Sequence, residues 1–364
     1  MTTGDESTGT GSTGTGTVET VELSPGYRIS RVLRGGWQLA GGHGAIEDER
    51  AIRDMAAFVD HGITTFDCAD IYTGVEAMIG RFRARILGER GAAALAAFKV
   101  HTKFVPDWDA LPRVDRAYVR AVIDRSLQRL GLERLDLVQF HWWNYDVPRA
   151  IETALVLEEL RREGKIHQVG GTNFDTPHVR ALLDAGVPLV SMQVQYSLLD
   201  RRPENGLVAL ARERGVKLLC YGTVAGGFLS QRWLGAPEPR EPFANRSLVK
   251  YKLIIDDFGG WTLFQDLLAA LAAIGRRHGV GLTAVATRWV LDRPAVAGAI
   301  VGARYAEHLP DTLDVFRFSL DDADRAALDA ILARSTGPLG DTYTLERDRE
   351  GRHGRIMHYN LSAS

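Results

Sequence analysis

Asp67 and Tyr72 stand five positions apart, just past a short β-branched and aromatic run that follows His61 and Gly62 and reads as a buried strand, residues 64–67. Two later strand-like runs also end on residues able to tune a phenol: residues 98–103 on Lys103, and residues 135–141 on His141. A free phenol has a pKa near 10 and is a reluctant proton donor at neutral pH, and a nearby cation lowers that value by favouring phenolate. In such a set Tyr72 would protonate a carbonyl oxygen, Lys103 would supply the charge, Asp67 would hold Lys103 as its ion-pair partner, and His141 would hydrogen-bond the substrate oxygen. Taken singly, each has an ordinary structural reading: a buried Asp–Lys pair, or a tyrosine packed at a rim. Four such groups delivered by consecutive strand ends favour a site.

The elements that must position them alternate regularly. A first apolar run, residues 32–39, surrounds Gly35, Gly36 and Trp37, after a short strand pair or lid at 21–30. Helical periods at 51–61, 75–87, 116–130, 149–162, 177–185 and 206–214 then alternate with strands at 64–67, 98–103, 135–141, 168–171, 189–196 and 217–221. Asp115 is placed to cap the third of these helices, and Gly131 to end it. Residues 222–261 form a longer insertion with Gly and Pro and no clear period, followed by helices at 263–277 and 283–291, a strand at 296–301, and helices around 306–316 and 321–332. Eight strands each followed by helix predict an α/β fold, a closed (β/α)₈ TIM barrel, whose chemistry sits at the carboxyl ends of its strands. The nucleotide signature of an open doubly wound sheet is missing: Gly35-Gly36 and Gly41-Gly42 do not spell GxGxxG, and Gly164-Lys165 lacks the Ser or Thr of a phosphate loop.

Composition narrows the class. A formal net charge of −2 offers no basic field for nucleic acid or an anionic membrane. Two cysteines, Cys68 and Cys220, without CxxC spacing, indicate neither a disulfide framework nor a zinc site, so no metal is expected and a reducing cytoplasm is the natural compartment. The Gly/Thr/Ser-rich opening, residues 1–18, has neither a basic start nor an apolar core and reads as a disordered tail, and no apolar run approaches the roughly 18 residues that span a bilayer. The remaining division is a single catalytic barrel over 19–335 and a C-terminal segment, 336–364.

The residues 66–72, Phe-Asp-Cys-Ala-Asp-Ile-Tyr, resemble the FDxADxY segment of the aldo-keto reductases; His101-Thr102-Lys103 is similar to their strand ending in lysine, and residues 136–141 to their DLxxxH strand. The resemblance runs from about Leu33 to Leu332. It implies an NAD(P)H-dependent barrel enzyme that reduces an aldehyde or ketone to an alcohol, with Tyr72 as proton donor and Asp67, Lys103 and His141 as its partners. It also implies a cofactor site, residue by residue. Gly170 to Phe174 resembles GxSNF, with Thr172 in place of serine, so Asn173 and Gln193 would hold the nicotinamide carboxamide, and Tyr221 would stack on its ring. Residues 222–229, with Gly222, Gly226, Gly227 and Leu229, resemble the loop over the pyrophosphate, where small residues admit backbone N–H groups. Gly302-Ala303-Arg304 resembles GxR, which favours NADP(H) through a 2′-phosphate on Arg304, but His308 and Thr312 depart from the family's pattern, and NAD(H) stays open.

Trp37, Trp108 and Trp142, with Trp143 beside it, follow strands one, three and four and are expected to wall a pocket for a flat or apolar carbonyl compound; the alternative is rim packing. The C-terminal segment, by analogy with the family, would cover that pocket. Two other functions fit part of the pattern. A barrel lyase would use Lys103 as a Schiff-base lysine, which explains none of Asn173, Gln193, Tyr221 or Arg304. A non-catalytic nucleotide-binding regulatory subunit, as some relatives are, would have no need of an intact tetrad.

Overall fold

The computed structural model describes residues 17–41 and 44–361. The expected tail lies outside the described residues except at its end, where Val18 is buried against Gly62, so the ordered chain begins at least a residue earlier than the composition suggests.

Strands β1 (Thr20–Ser24) and β2 (Tyr27–Ser30) form an antiparallel hairpin. Strands β3 (Val32–Gly35), β4 (Thr65–Asp67), β5 (Lys99–Phe104), β6 (Leu135–Phe140), β7 (Ile166–Thr172), β8 (Leu189–Gln195), β9 (Lys217–Tyr221) and β10 (Val296–Gly302) close into a parallel barrel, β10 pairing with both β9 and β3. Around it lie α1 (Asp48–Asp60), α2 (Val75–Ala97), α3 (Arg116–Leu130), α4 (Ala150–Arg162), α5 (Thr176–Asp184), α6 (Leu207–Arg214), α7 (Arg246–Phe258), α8 (Gly260–His278), α9 (Leu282–Leu291), α10 (Leu309–Leu313), α11 (Asp322–Leu332) and α12 (Thr344–Arg347). The expected (β/α)₈ barrel is the observed one.

Period-two alternation sorts the strand side chains into two cores. Leu33, Leu137, Leu219, Ala297 and Ile300 point into the barrel, where Leu23, Tyr27 and Ile29 of the hairpin join them and close its floor. The expected strand pair or lid is thus a plug at the end away from the strand tips. Phe66, Val138 and Phe140 face outward into the helical layer, where the Phe66 ring meets that of Phe98 edge-on at 4.7 Å. Parallel register puts Asp67 beside His101, Lys103 beside Gln139, and Thr172 beside Gln193, which brings the ends of β4 to β8 to one level.

Asp115 caps α3 by accepting from the Tyr118 N–H, and Gly131 ends it at φ +62°. The insertion differs from expectation by holding a full helix, α7, with Tyr251, Ile254, Ile255 and Phe258 buried at helical spacing. The single helix expected over 306–316 is broken into two 3₁₀ turns around α10, because Pro310 lacks the N–H that would carry a helix through. Among the described residues no single helix is long and apolar enough to cross a membrane; α7 and α8 pass that test only together, bent by 94°, and their apolar faces are spent in the core.

Candidate active site

β4 delivers Asp67 and β5 delivers Lys103, both buried, with Lys103 Nζ 2.7 Å from Asp67 Oδ2. The ammonium also donates to the Cys68 carbonyl at 2.8 Å. The other carboxylate oxygen, Oδ1, accepts from Gln139 Nε2 at 2.9 Å and from Gln193 Nε2 at 2.6 Å. A buried ion pair is stable only when its remaining lone pairs and protons are satisfied, and here both oxygens of Asp67 are. Burial alone would lower the Lys103 pKa, but Asp67 and then Tyr72 outweigh it and hold it above its ordinary value. Lys103 is therefore a fixed cation.

The ring of Tyr72 lies 5.0 Å from Lys103 Nζ and 5.1 Å from the ring of Trp37. Lys103 pulls the phenol's pKa down as expected, yet burial pushes it up by more and Asp67 adds to that, so the phenol titrates above its usual value. The net sign is opposite to the sequence-based expectation. Tyr72 rests protonated, with its proton available.

His141 follows β6 and is buried. Its Nδ1 lies 3.1 Å from the Thr172 carbonyl oxygen, which can only accept, so Nδ1 carries the proton in this tautomer. Burial, and then the nearby Arg347 guanidinium, push the imidazole pKa down to about 3. The ring is neutral, and Nε2 is a bare acceptor, buried and without a hydrogen-bond partner. Trp143 stands edge-on to this ring at 4.3 Å, Tyr343 at 5.8 Å.

The residues expected to hold a cofactor lie along one arc, from the end of β7 to the end of β10. Thr172 offers its carbonyl to His141, and Asn173 follows at φ +62°. The Tyr221 hydroxyl donates to Asn173 Oδ1 at 2.9 Å, which fixes the amide and leaves its Nδ2 as a donor. Gln193 is committed at Nε2 to Asp67 and Gln139, leaving its oxygen as the end to meet a ligand. Gly222 and Gly226 have positive φ, and a Cβ on either would strike Tyr251 of α7, so their smallness already serves packing; Gly227, at φ +98°, faces open space. Leu229 is buried in the core, and only its backbone can face a ligand. A Cβ on Gly302 would strike the Gln38 amide. Arg304 donates to the Ala45 carbonyl at 3.0 Å beside Gly44. His308 is exposed, and the Thr312 hydroxyl is turned back onto the His308 carbonyl at 2.9 Å. This donor set of an amide, a flat ring, an open glycine and a guanidinium fits a pyridine dinucleotide.

Of the expected pocket tryptophans, Trp37 adjoins Tyr72, and Trp108 packs against Tyr359 at 5.3 Å. Trp142 is not a wall: it is fully buried, its Nε1 donating to the Val147 carbonyl at 3.1 Å. Trp143, the next residue, leaves the backbone the other way and lies edge-on to the His141 ring. The sequence reading also missed Gln139, although it sits two residues before His141 in β6, where the same face must recur. The C-terminal segment crosses the mouth. Arg347 donates to the carbonyls of Trp142 and Trp143 at 2.5 Å each and of Asn173 at 2.8 Å. Glu346 binds the buried Arg202 through both oxygens at 2.8 and 2.9 Å, and Asp200 holds Arg202 from the other side. Lys250 of α7 lies 3.9 Å from Glu346 and 5.1 Å from the Tyr221 ring centroid.

Comparison with known proteins places this arrangement. The model of the aldo/keto reductase family matches residues 31–333. The chain is 28% identical over 336 residues to the aldo-keto reductase YhdN of Bacillus subtilis, covering 89% of this chain and 97% of that protein. It is 27% identical over 316 residues to an NADH-specific methylglyoxal reductase of Escherichia coli, covering 81% and 92% respectively. Among solved structures, a glycerol dehydrogenase of Gluconobacter oxydans superposes with a TM-score of 0.74 at 26% identity, covering 89% of this chain and 98% of that one.

Proposed function

This chain belongs to the aldo/keto reductase family, and from that premise we propose that it reduces an aldehyde or ketone to an alcohol with Tyr72 as the proton donor. One observation carries the assignment: Lys103 Nζ is ion-paired to Asp67 at 2.7 Å and sits 5.0 Å from the Tyr72 ring. The buried phenol keeps its proton until negative charge develops on the substrate oxygen, and the Lys103 cation then stabilises the phenolate left behind. Asp67, Gln139 and Gln193 hold Lys103 in place. Bound NAD(P)H supplies the hydride. Asn173, Gln193 and Thr172 would hold its carboxamide, Tyr221 its ring, the 222–229 loop its pyrophosphate, and Arg304 a 2′-phosphate. NADP(H) is favoured by Arg304 alone; an NADH-specific relative keeps NAD(H) as a second reading. The C-terminal segment covers the pocket through Arg347 and Glu346. A cytoplasmic enzyme acting on a small carbonyl compound fits two buried free cysteines.

The Schiff-base reading fails on charge: an amine held as an ammonium by a carboxylate at 2.7 Å has no lone pair to attack with. Tyr72→Phe tests the assignment. It should bind NADPH, followed by quenching of cofactor fluorescence, as the parent does, and turn over an aldehyde panel at least about 100-fold more slowly. Full turnover in that variant would remove Tyr72 from the reaction.

A further inference from the structure

Arg34 follows two apolar residues, Val32 and Leu33, in β3, and its side chain is buried. Its Cζ lies 5.3 Å from the ring centroid of Phe58 and 5.2 Å from that of Phe66. Nε and Nη1 are buried without a hydrogen-bond partner among the described residues. A cation taken out of water with unpaired N–H groups destabilises the fold, and two aromatic faces offset only part of that. Burial pulls its pKa down to about 10, with Asp54 opposing, so the group is still charged at neutral pH. An apolar side chain of similar length would fill this space without the penalty. The arginine therefore asks for a role other than packing.

Its contacts supply one. Arg34 Nη2 donates to the Arg304 carbonyl at 3.4 Å. Two residues on, the Ala306 N–H donates to Asp54 Oδ2 of α1 at 3.0 Å. Between them, Arg50 lies over the Tyr305 ring at 3.9 Å, and the Tyr305 hydroxyl accepts from the Glu47 N–H at 3.2 Å. The turn leaving β10 is thus tied at two main-chain groups by side chains of β3 and α1.

We infer that Arg34 and Asp54 are positioning residues for the adenosine end of the cofactor, fixing the turn that carries Arg304 so that its guanidinium meets a 2′-phosphate on an already ordered backbone. This rests on the cofactor reading above and deepens it. That end of the arc leans on Arg304, since His308 is exposed and the Thr312 hydroxyl is turned back onto the His308 carbonyl. A lone charged contact gives most affinity when the chain that aims it needs no ordering at binding. Neither Arg34 nor Asp54 touches the ligand; both act through the main chain of residues 304–306.

The test uses the purified full chain and two probes of the adenosine end alone, adenosine 2′,5′-bisphosphate and adenosine 5′-monophosphate, titrated by calorimetry. Arg34→Met keeps the length and the contact with both rings but cannot donate. It should bind the bisphosphate about tenfold more weakly and the monophosphate less than about twofold more weakly, with a urea midpoint at or above the parent's. The loss should appear in KM for NADPH rather than in kcat. Added to Arg304→Ala, the same change should weaken the bisphosphate no further, because it acts through Arg304. Asp54→Ala, which frees the Ala306 N–H at a partly exposed position, should show the same selective loss with the fold intact. Parent-like bisphosphate binding in either single variant, a further loss in the Arg304→Ala background, or a fall in the urea midpoint of Arg34→Met would overturn the inference. So would a parent that binds the two probes equally, which leaves the reductase reading standing. A parent that binds neither probe nor NADPH nor NADH would overturn the cofactor reading and the inference together.

Discussion

Gln193 donates from Nε2 to Oδ1 of Asp67 at 2.6 Å, and Gln139 donates to the same oxygen at 2.9 Å. The two amides clamp one carboxylate, but only Gln193 also lies in the arc proposed for the cofactor. Removing either leaves a buried acceptor short of a donor, at a cost of about 1–3 kcal/mol. Gln139→Leu should lower the urea midpoint and turnover while cofactor affinity holds. Gln193→Leu should lower all three, read by unfolding, rate and cofactor titration.

Lys103→Met strands the Asp67 carboxylate, whose pair is almost wholly buried. Breaking such a pair from one side costs about 3–5 kcal/mol, and here two glutamine amides remain to soften it, so the lower end is expected. Turnover should be lost with no recovery at any pH, because the charge that stabilises phenolate is gone. A urea titration and a pH–rate series check both.

Two buried imidazoles make stability depend on pH. Burial pushes His141 down to about 3, and burial pushes His101 down to about 4. Unfolded, both regain a value near 6.5. Between those values the unfolded chain binds more protons than the folded one, so stability rises with pH from about 4 to 6.5 and is level above it. The urea midpoint should climb over that range, and His101→Asn should flatten the climb. The same shift implies that kcat/KM carries no imidazole limb between pH 6 and 7.

Arg304 carries the proposed choice between cofactors. Its guanidinium donates to the Ala45 carbonyl at 3.0 Å. Arg304→Ala should weaken NADPH binding about tenfold or more and NADH binding less than about twofold, the difference a charge-assisted phosphate contact would make. Equal losses would assign Arg304 to a part that the two cofactors share.

Glu346 joins the C-terminal segment to the barrel by a pair buried on both sides. Arg202, with the Lys250 ammonium beside it, holds the Glu346 carboxyl down to about 2 against burial, which alone would raise it. Glu346→Ala should cost about 3–5 kcal/mol and make residues 336–361 the first site of proteolysis, since Arg202 keeps only Asp200. Limited digestion with mass spectrometry checks the site.

The barrel and the Asp67–Lys103 pair beside Tyr72 were legible because both follow from local pattern. Alternating periods give the strands, and strand ends give Asp67, Lys103 and His141. What escaped depends on distant partners. Arg202 carries no sign of its role in the local sequence, because its partner Glu346 is 144 positions away. Arg347 carries none either, because the groups it binds are backbone carbonyls with no sequence signature. The helical spacing of Tyr251, Ile254, Ile255 and Phe258 was present but lay inside a Gly- and Pro-bearing insertion. Trp142 and Trp143 differ only in the side of the backbone they leave from, and composition is blind to that.

Arg347 holds the Trp142 and Trp143 carbonyls with one nitrogen and the Asn173 carbonyl with the other. Under the proposed function, the backbone beside the substrate pocket and the residue assigned to the electron donor therefore share a single hinge point. An engineer who grafts a different tail to widen the range of compounds accepted will retune both at once, and directed evolution starting from either trait should find its mutations in the same few residues.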